Sequence, residues 1–298
     1  MRSPADPVMT SFVDTHLHCW DRTQVPYPWL DGYPAIAGRH TPAELRAEIS
    51  GGDGARFPDK IVIVEGDCDR ARAFDEVRAA EALAASEPAD EKTIAGIVAF
   101  APMDRGDETI AALDRLRARP LLRGVRHLIQ GEADPDFCRR PAFIAGVRAA
   151  GERGLSFDVC VKHHQLASVI DLVRECPGTQ FILDHAGKPD VRGRRLDPWR
   201  EQIATLAWFP YVACKLSGLV TEADPAAWTI DDLRPYTDHL LARFGARRLM
   251  FGGDWPVVKL ASSYQRWLDT ALTLLSPLPL DEREAIMSSN AQRIYRLS

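Results

Sequence analysis

Eight short β-rich runs separated by segments of helical periodicity constrain this chain more than any other feature. The runs are FVDTHLH from Phe12, KIVIVEG from Lys60, IAGIVAFAP from Ile94, LRGVRHLIQ from Leu122, LSFDVCVKH from Leu155, QFILDHAG from Gln180, YVACKLSG from Tyr211 and RLMFGGDWP from Arg248. Between them, apolar residues recur at spacings of three and four, as in ARAFDEVRAAEALAAS from Ala71, QLASVIDLVRECPG from Gln165 and YQRWLDTALTLL from Tyr264. That spacing predicts amphipathic helices. Strands alternating with helices pair in parallel through right-handed crossovers, and eight such units can close on themselves. The expected fold is therefore α/β, a single (β/α)8 barrel over residues 1–298. The first strand-to-helix turn lacks the Gly-rich fingerprint that a dinucleotide-binding open sheet carries. A last helix over LDEREAIMSSNAQRIYRL is expected to pack across the outside. The irregular part is the long loop after strand one, at about residues 19–59, where Trp20, Tyr27, Trp29 and Tyr33 argue for order and a functional role.

Composition narrows the partners. A net charge of −5 and the absence of a Lys/Arg cluster give no reason to expect nucleic acid. The most basic stretch, VRGRRLDPWR from Val191, is flanked and interrupted by Asp190 and Asp197 and reads as a solvated loop. Six scattered cysteines without a CxxC pair fit reduced thiols in a cytoplasmic protein. Met1 to Thr10 has no apolar core of a signal peptide, and no apolar run approaches the ~18 residues of a membrane span. The oligomeric state is not encoded in any of these features.

In a barrel of this kind the reactive residues sit at the carboxyl ends of the strands. Those ends carry His16 and His18, Glu65, Arg126 and His127, Lys162 and His163, Asp184 and His185, Lys215 and Ser217, and Asp254. Residues i and i+2 of a strand share a face, so Asp14, His16 and His18 are expected to project together as a chelating set. Of the adjacent pair Arg126 and His127 only one can face the interior, and the arginine is preferred. Glu65 and Lys215 also suit ion pairs inside the barrel. His40 and His239, in a loop and a helix, are expected at the surface. Cys19, Cys160 and Cys214 lack an activating base, and no GxSxG elbow is present, so neither a cysteine nor a serine nucleophile is indicated. Gly252 and Gly253 would let the last strand end approach a ligand closely.

A divalent ion held by two imidazoles keeps an open position at which it polarises a carbonyl or acidifies water. Asp254 suits the general base, and Arg126 or Lys162 an oxyanion or carboxylate. The expected metal ligands are His16, His18 and Asp254, around one divalent ion, zinc by preference, or none. Trp29, Lys162, His163 and Trp255 are the candidate substrate contacts.

Taken in order, VDTHLHCWD, RGVRHLIQ, FILDHAGKP, CKLSGL and FGGDWPV resemble the amidohydrolase superfamily, and within it the sugar-lactonase branch that includes L-fuconolactonases and L-rhamnonolactonases. The likeness covers nearly the whole chain. It implies a (β/α)8 barrel, water attack on a lactone carbonyl, Asp254 as base, and site roles for His16, His18, Arg126 and His185. No carbamylated-lysine pattern stands on strand four, so a binuclear centre is not implied. The implied reaction opens a sugar 1,4-lactone to its aldonic acid. The alternatives are a lactonase of aromatic degradation, acting on a pyrone-dicarboxylate or muconolactone, and a metal-dependent decarboxylase of the same superfamily.

Overall fold

A computed structural model describes residues 11–52 and 55–297. The expectation for Met1 to Thr10 lies outside the described residues. Eight parallel strands follow one another around a sheet in chain order: β1 (Val13–Leu17), β2 (Lys60–Val64), β3 (Ile94–Phe100), β4 (Leu122–Leu128), β5 (Ser156–Cys160), β6 (Phe181–Leu183), β7 (Val212–Leu216) and β8 (Leu249–Phe251). The barrel closes just beyond the last strand, where the His18 N–H donates to Trp255 O (2.8 Å) and the Asp254 N–H to His16 O (2.7 Å). These two bonds draw both ends of the chain's reactive inventory into one mouth.

The helices are α1 (Pro42–Ile49), α2 (Ala73–Ser86), α3 (Asp107–Arg117), α4 (Pro141–Glu152), α5 (Leu166–Glu175), α6 (Trp199–Ala207), α7 (Ile230–Phe244) and α8 (Tyr264–Leu275). All but α1 were signalled by the spacing of apolar residues. Strand alternation divides the core in two. Ile61 and Ile63 of β2 pack outward against helices, whereas Val62 and Val64 join Val13, Val98, Ile182, Ala213 and Met250 inside the barrel.

The last segment departs from expectation. It breaks into α9 (Leu280–Glu284), a π turn over Ala285–Ser289 and α10 (Asn290–Ile294), and it closes the amino-terminal end of the barrel instead of lying across its outside. Ala291, Ile294, Tyr295 and Leu297 pack into the interior cluster, and the Asn290 amide donates to Ala246 O (2.7 Å) and Leu249 O (2.8 Å) at the start of β8. The physical reason is volume: Val and Ala side chains leave the barrel floor open, and a plug of alternating apolar residues fills it.

The long loop after β1 packs in part on itself. Trp20, Val25, Tyr27, Leu30 and Ile36 form their own buried cluster, each such side chain contributing roughly 1.5–3 kcal/mol by leaving water. His40, expected at the surface, is buried here: its ring stacks on Trp20 (5.6 Å between centroids) and leans on Trp255 (4.9 Å). His239 is half-buried against α6, its Nε2 2.8 Å from Arg200 O.

Beneath this loop, buried Glu76 of α2 accepts from the Tyr27 hydroxyl and the Gly66 N–H, both at 2.9 Å. Its other oxygen has no hydrogen-bond partner among the described residues. Burial, with repulsion from Glu65, pushes its carboxyl up to about 8. Below about 4.5 both the folded and the unfolded state hold this proton and no stability is lost; above it the unfolded chain alone releases the proton, so stability should fall as pH rises from about 4.5 to about 8 and level off above. The loss is on the order of a few kcal/mol. Glu76→Gln should flatten that slope in urea unfolding measured across this range; an unchanged slope would assign the pH dependence to other groups.

Candidate active site

The mouth is built on backbone that few residues adopt. Asp254 (φ +54°) and His185 (φ +51°) both lie in the left-handed region, a strained conformation for residues other than glycine. Gly252 is required next to Asp254 because a Cβ there would stand 2.8 Å from the His16 Cβ. The close approach that Gly252 and Gly253 allow is thus to the protein's own side chains, not to a ligand as expected.

His16 and His18 project toward Asp254, with His16 Nε2 3.8 Å and His18 Nε2 3.5 Å from its Oδ1. Asp14 does not join them. The β1–β2 register shifts between Asp14 and Leu17, and the Asp14 carboxylate turns to accept from the Gly253 N–H, the His16 N–H and the Tyr264 hydroxyl, each at 2.9 Å. It fastens β8 and α8 to β1. His185 completes the group, with Nδ1 2.9 Å from Ser217 Oγ and 3.9 Å from Asp254 Oδ2.

Below the mouth lies a buried ionic lattice. Arg126 points inward as preferred, donating from Nε to Glu65 Oε1 (2.6 Å) and from one terminal nitrogen to Asp184 Oδ2 (3.0 Å). Its neighbour His127 points out among Phe100, Phe137 and Phe143. Lys215, fully buried, contacts Asp158 Oδ2 (2.7 Å), Asp184 Oδ1 (2.9 Å) and His16 Nδ1 (3.1 Å). The Tyr295 hydroxyl closes the lattice on Asp158 Oδ2 (2.5 Å). Burial works against the charge on Lys215, but Asp158 and Asp184 outweigh it and raise its pKa. Burial likewise favours a neutral Asp254, yet His185, His18 and His16 around it hold its carboxyl well below the usual range. His185 itself is lowered to about 4, by burial first, and is neutral near pH 7.

The chemistry of this donor set fits a divalent cation. His18 Nδ1 lies 2.9 Å from Val64 O, an acceptor only, so the ring carries its proton there and turns the Nε2 lone pair toward the Asp254 carboxylate. Two buried acceptors facing each other at 3.5 Å call for a cation or a proton between them. His16, His18 and Asp254 offer ligand atoms all within 4.8 Å of one another, as do His16, Asp184 and His185.

Above these residues opens a cavity of about 320 Å³. His18, Arg126, His185, Asp254 and Trp29 line it, in keeping with expectation, Trp29 being fixed by its indole N–H on Gly66 O (2.8 Å). Three proposed substrate contacts do not. Lys162 is exposed, because the chain turns into a 3-10 segment directly after β5 and carries it outward. His163 instead supports Lys188, its Nδ1 3.0 Å from Lys188 O. Trp255 is buried behind the mouth, its indole N–H on Glu48 Oε2 (3.2 Å). In their place stand Asp67, Gln130 and Lys188. Lys188 lies within the DHAGKP motif, which marks the segment but not the direction its side chain takes; Asp158 was signalled by a charge inside the otherwise apolar run LSFDVC.

An α/β barrel with paired histidines on its first strand and an aspartate on its last defines a class, and the chain belongs to the amidohydrolase family, whose profile matches residues 13–297. Among its relatives, an L-fucono-1,5-lactonase of Burkholderia multivorans is 33% identical over 303 residues, covering 96% of each chain. A crystal structure of an amidohydrolase from Burkholderia multivorans with bound zinc superposes with a TM-score of 0.81 at 32% identity, over 97% of this chain and all of the other. A 2,6-dihydroxybenzoate decarboxylase, with a TM-score of 0.61 at 15% identity over 97% of this chain and all of that one, shares the fold alone. The chain is a hydrolytic enzyme of the lactonase kind. Among the described residues no helix is long and apolar enough to cross a membrane.

Proposed function

We propose that the chain opens a neutral sugar lactone to its aldonic acid. The observation that carries this reading is the charge around the cavity. Its two strong cations are both opposed already, Arg126 by Glu65 and Asp184 and Lys188 by Glu222 at 3.9 Å, while Asp67 and Asp254 add negative charge. A dicarboxylate lactone, or the carboxylate of a decarboxylase substrate, would meet no unopposed cation there. An uncharged, hydroxyl-bearing ring meets polar groups it can satisfy. The names of the relatives favour a six-membered 1,5-lactone of the L-fucono type over the five-membered ring that the sequence suggested.

In this reading water is aligned on the lactone carbonyl carbon by Asp254, which is ionised at neutral pH. Asp254 takes the water proton as the new C–O bond forms and returns it to the ring oxygen as the ring C–O bond breaks, leaving a hydroxy acid. His185, neutral near pH 7, and Arg126 supply N–H groups on the side where oxyanion charge develops. His16, His18 and Asp254 would hold a divalent ion, zinc being the one expected, which would supply Lewis-acid polarisation. His16 suits either state of the site. With Nδ1–H directed at Asp184 Oδ1 (3.3 Å) it offers an Nε2 lone pair to an ion; accepting from Lys215 at Nδ1 it offers Nε2–H to a carbonyl oxygen.

The test is a panel of L-fucono-1,5-lactone, a sugar 1,4-lactone, a pyrone-dicarboxylate lactone and 2,6-dihydroxybenzoate, followed with a pH indicator before and after chelation, with metal analysis on the same preparation. Acid release from a sugar lactone is the expected result. Turnover confined to the dicarboxylate, or proton uptake with the benzoate, would sink the reading. His16→Ala should lower zinc content and activity together; full activity after exhaustive chelation would leave the lactonase standing and remove the ion.

A further inference from the structure

Two polar groups on the cavity wall have no task in the reaction described above. Asp67 holds a left-handed backbone conformation (φ +56°), pinned by its N–H donating to Glu65 Oε2 (2.7 Å). Its carboxylate, which lines the cavity, accepts no hydrogen bond and joins no ion pair among the described residues. A strained residue with an unengaged acceptor at a ligand cavity is costly to keep unless a ligand uses it.

The second group is donor-rich. Lys188 is also left-handed (φ +47°), and its backbone is clamped on both sides, its N–H donating to His185 O (2.8 Å) and its carbonyl accepting at His163. Its ammonium donates one hydrogen to Gln130 Oε1 (2.5 Å), and the nearest carboxylate, on Glu222, is 3.9 Å away, beyond hydrogen-bond reach. Two of its three hydrogens therefore remain for a ligand. Gln130, whose carbonyl oxygen takes Lys188, donates from its amide nitrogen to no protein group among the described residues. Trp29, Val257 and Leu260, which also line the cavity, pack against the apolar cluster of the long loop and give the cavity one greasy side.

We infer that Asp67 together with the Lys188 and Gln130 pair reads the ring hydroxyls of the lactone, so that hydroxylation of the ring is a requirement of the site. This inference rests on the lactonase reading above. A carboxylate accepts only, and an ammonium or amide N–H donates only, whereas a hydroxyl does both. A ring bearing several hydroxyls satisfies the two kinds of group at once. A ligand carboxylate in their place would be repelled by Asp67 and would find the charge of Lys188 already opposed by Glu222, and a ligand amine would be repelled by Lys188. A lactone without hydroxyls leaves the Asp67 carboxylate, two hydrogens of Lys188 and the Gln130 side-chain amide without a ligand partner, the situation in which a hydrogen-bonding site discriminates most strongly.

The experiment compares kcat/KM for L-fucono-1,5-lactone with that for unsubstituted δ-valerolactone on one preparation each of wild type, Asp67→Gly and Lys188→Met. Glycine is chosen at position 67 because it adopts the positive φ without strain. The ratio of the two kcat/KM values should fall at least about ten-fold in each variant, the size expected for a hydrogen bond to a charged group. Because the ratio is internal to each preparation, partial misfolding lowers both values and leaves it unmoved. A ratio unchanged in both variants, with the wild type active on the sugar lactone, would overturn the inference and leave the lactonase reading intact. A wild type that opens neither lactone would overturn the reading beneath it.

Discussion

Asp254→Asn should leave a folded barrel that opens its lactone at least about 100-fold more slowly. The substitution keeps the shape of the side chain at a backbone position (φ +54°) that asparagine tolerates, and it removes the carboxylate that, alone among the described residues, faces both His16 and His18. Proton transfer to and from water then has no acceptor at this point. The effect should appear in kcat, since the carboxylate acts on the reacting water and not on the bound ring. A variant within ten-fold of wild type would move the base elsewhere in the mouth.

The second large effect is on stability. Lys215→Met should destabilise the protein by about 3–5 kcal/mol, read as a shift of the urea unfolding midpoint. Removing the ammonium leaves Asp158 and Asp184, both fully buried, without the cation that sits 2.7 and 2.9 Å from them. Arg126 still opposes Asp184, so the excess falls on Asp158, which retains only uncharged donors, the Tyr295 hydroxyl and, at 3.5 Å, the Ser156 hydroxyl. Adding Asp158→Asn to Lys215→Met should recover part of the loss, because the amide needs no counter-charge. A loss below about 1 kcal/mol for the single variant would mean that the lattice relaxes or admits water. Activity should fall as well, since Lys215 touches His16 Nδ1 at 3.1 Å.

The barrel was legible because its eight strands and the helices α2 to α8 advertise their periods locally, whereas α1 and the identity of the barrel floor were not. Whether α9 and α10 plug the barrel or coat it depends on the volume left between Val62, Val98, Ala213 and Met250, which no local pattern encodes. The chemistry at the strand ends was legible for the same reason as the strands. His16, His18, Arg126, His185 and Asp254 stand at or just beyond the ends of their runs, and they meet at the mouth. What failed was direction at the turns. Lys162, His163 and Trp255 follow strand ends by two to four residues, where alternation no longer governs, and each rotates away from the cavity. Asp14 failed through a register shift within β1 itself. Asp67 and Lys188 take their places through positive φ at non-glycine positions, a conformation that sequence periodicity does not signal.

One measurement bears most directly on the central claim that water, aligned by Asp254, attacks the carbonyl of a neutral lactone. Wild-type protein is incubated with L-fucono-1,5-lactone in H2¹⁸O and the product analysed by mass spectrometry. The account predicts one ¹⁸O atom per turnover, located in the carboxylate of the aldonic acid, at a rate that falls at least about 100-fold in Asp254→Asn. Label in the hydroxyl released from the ring oxygen, or no product acid above the uncatalysed rate, would contradict it.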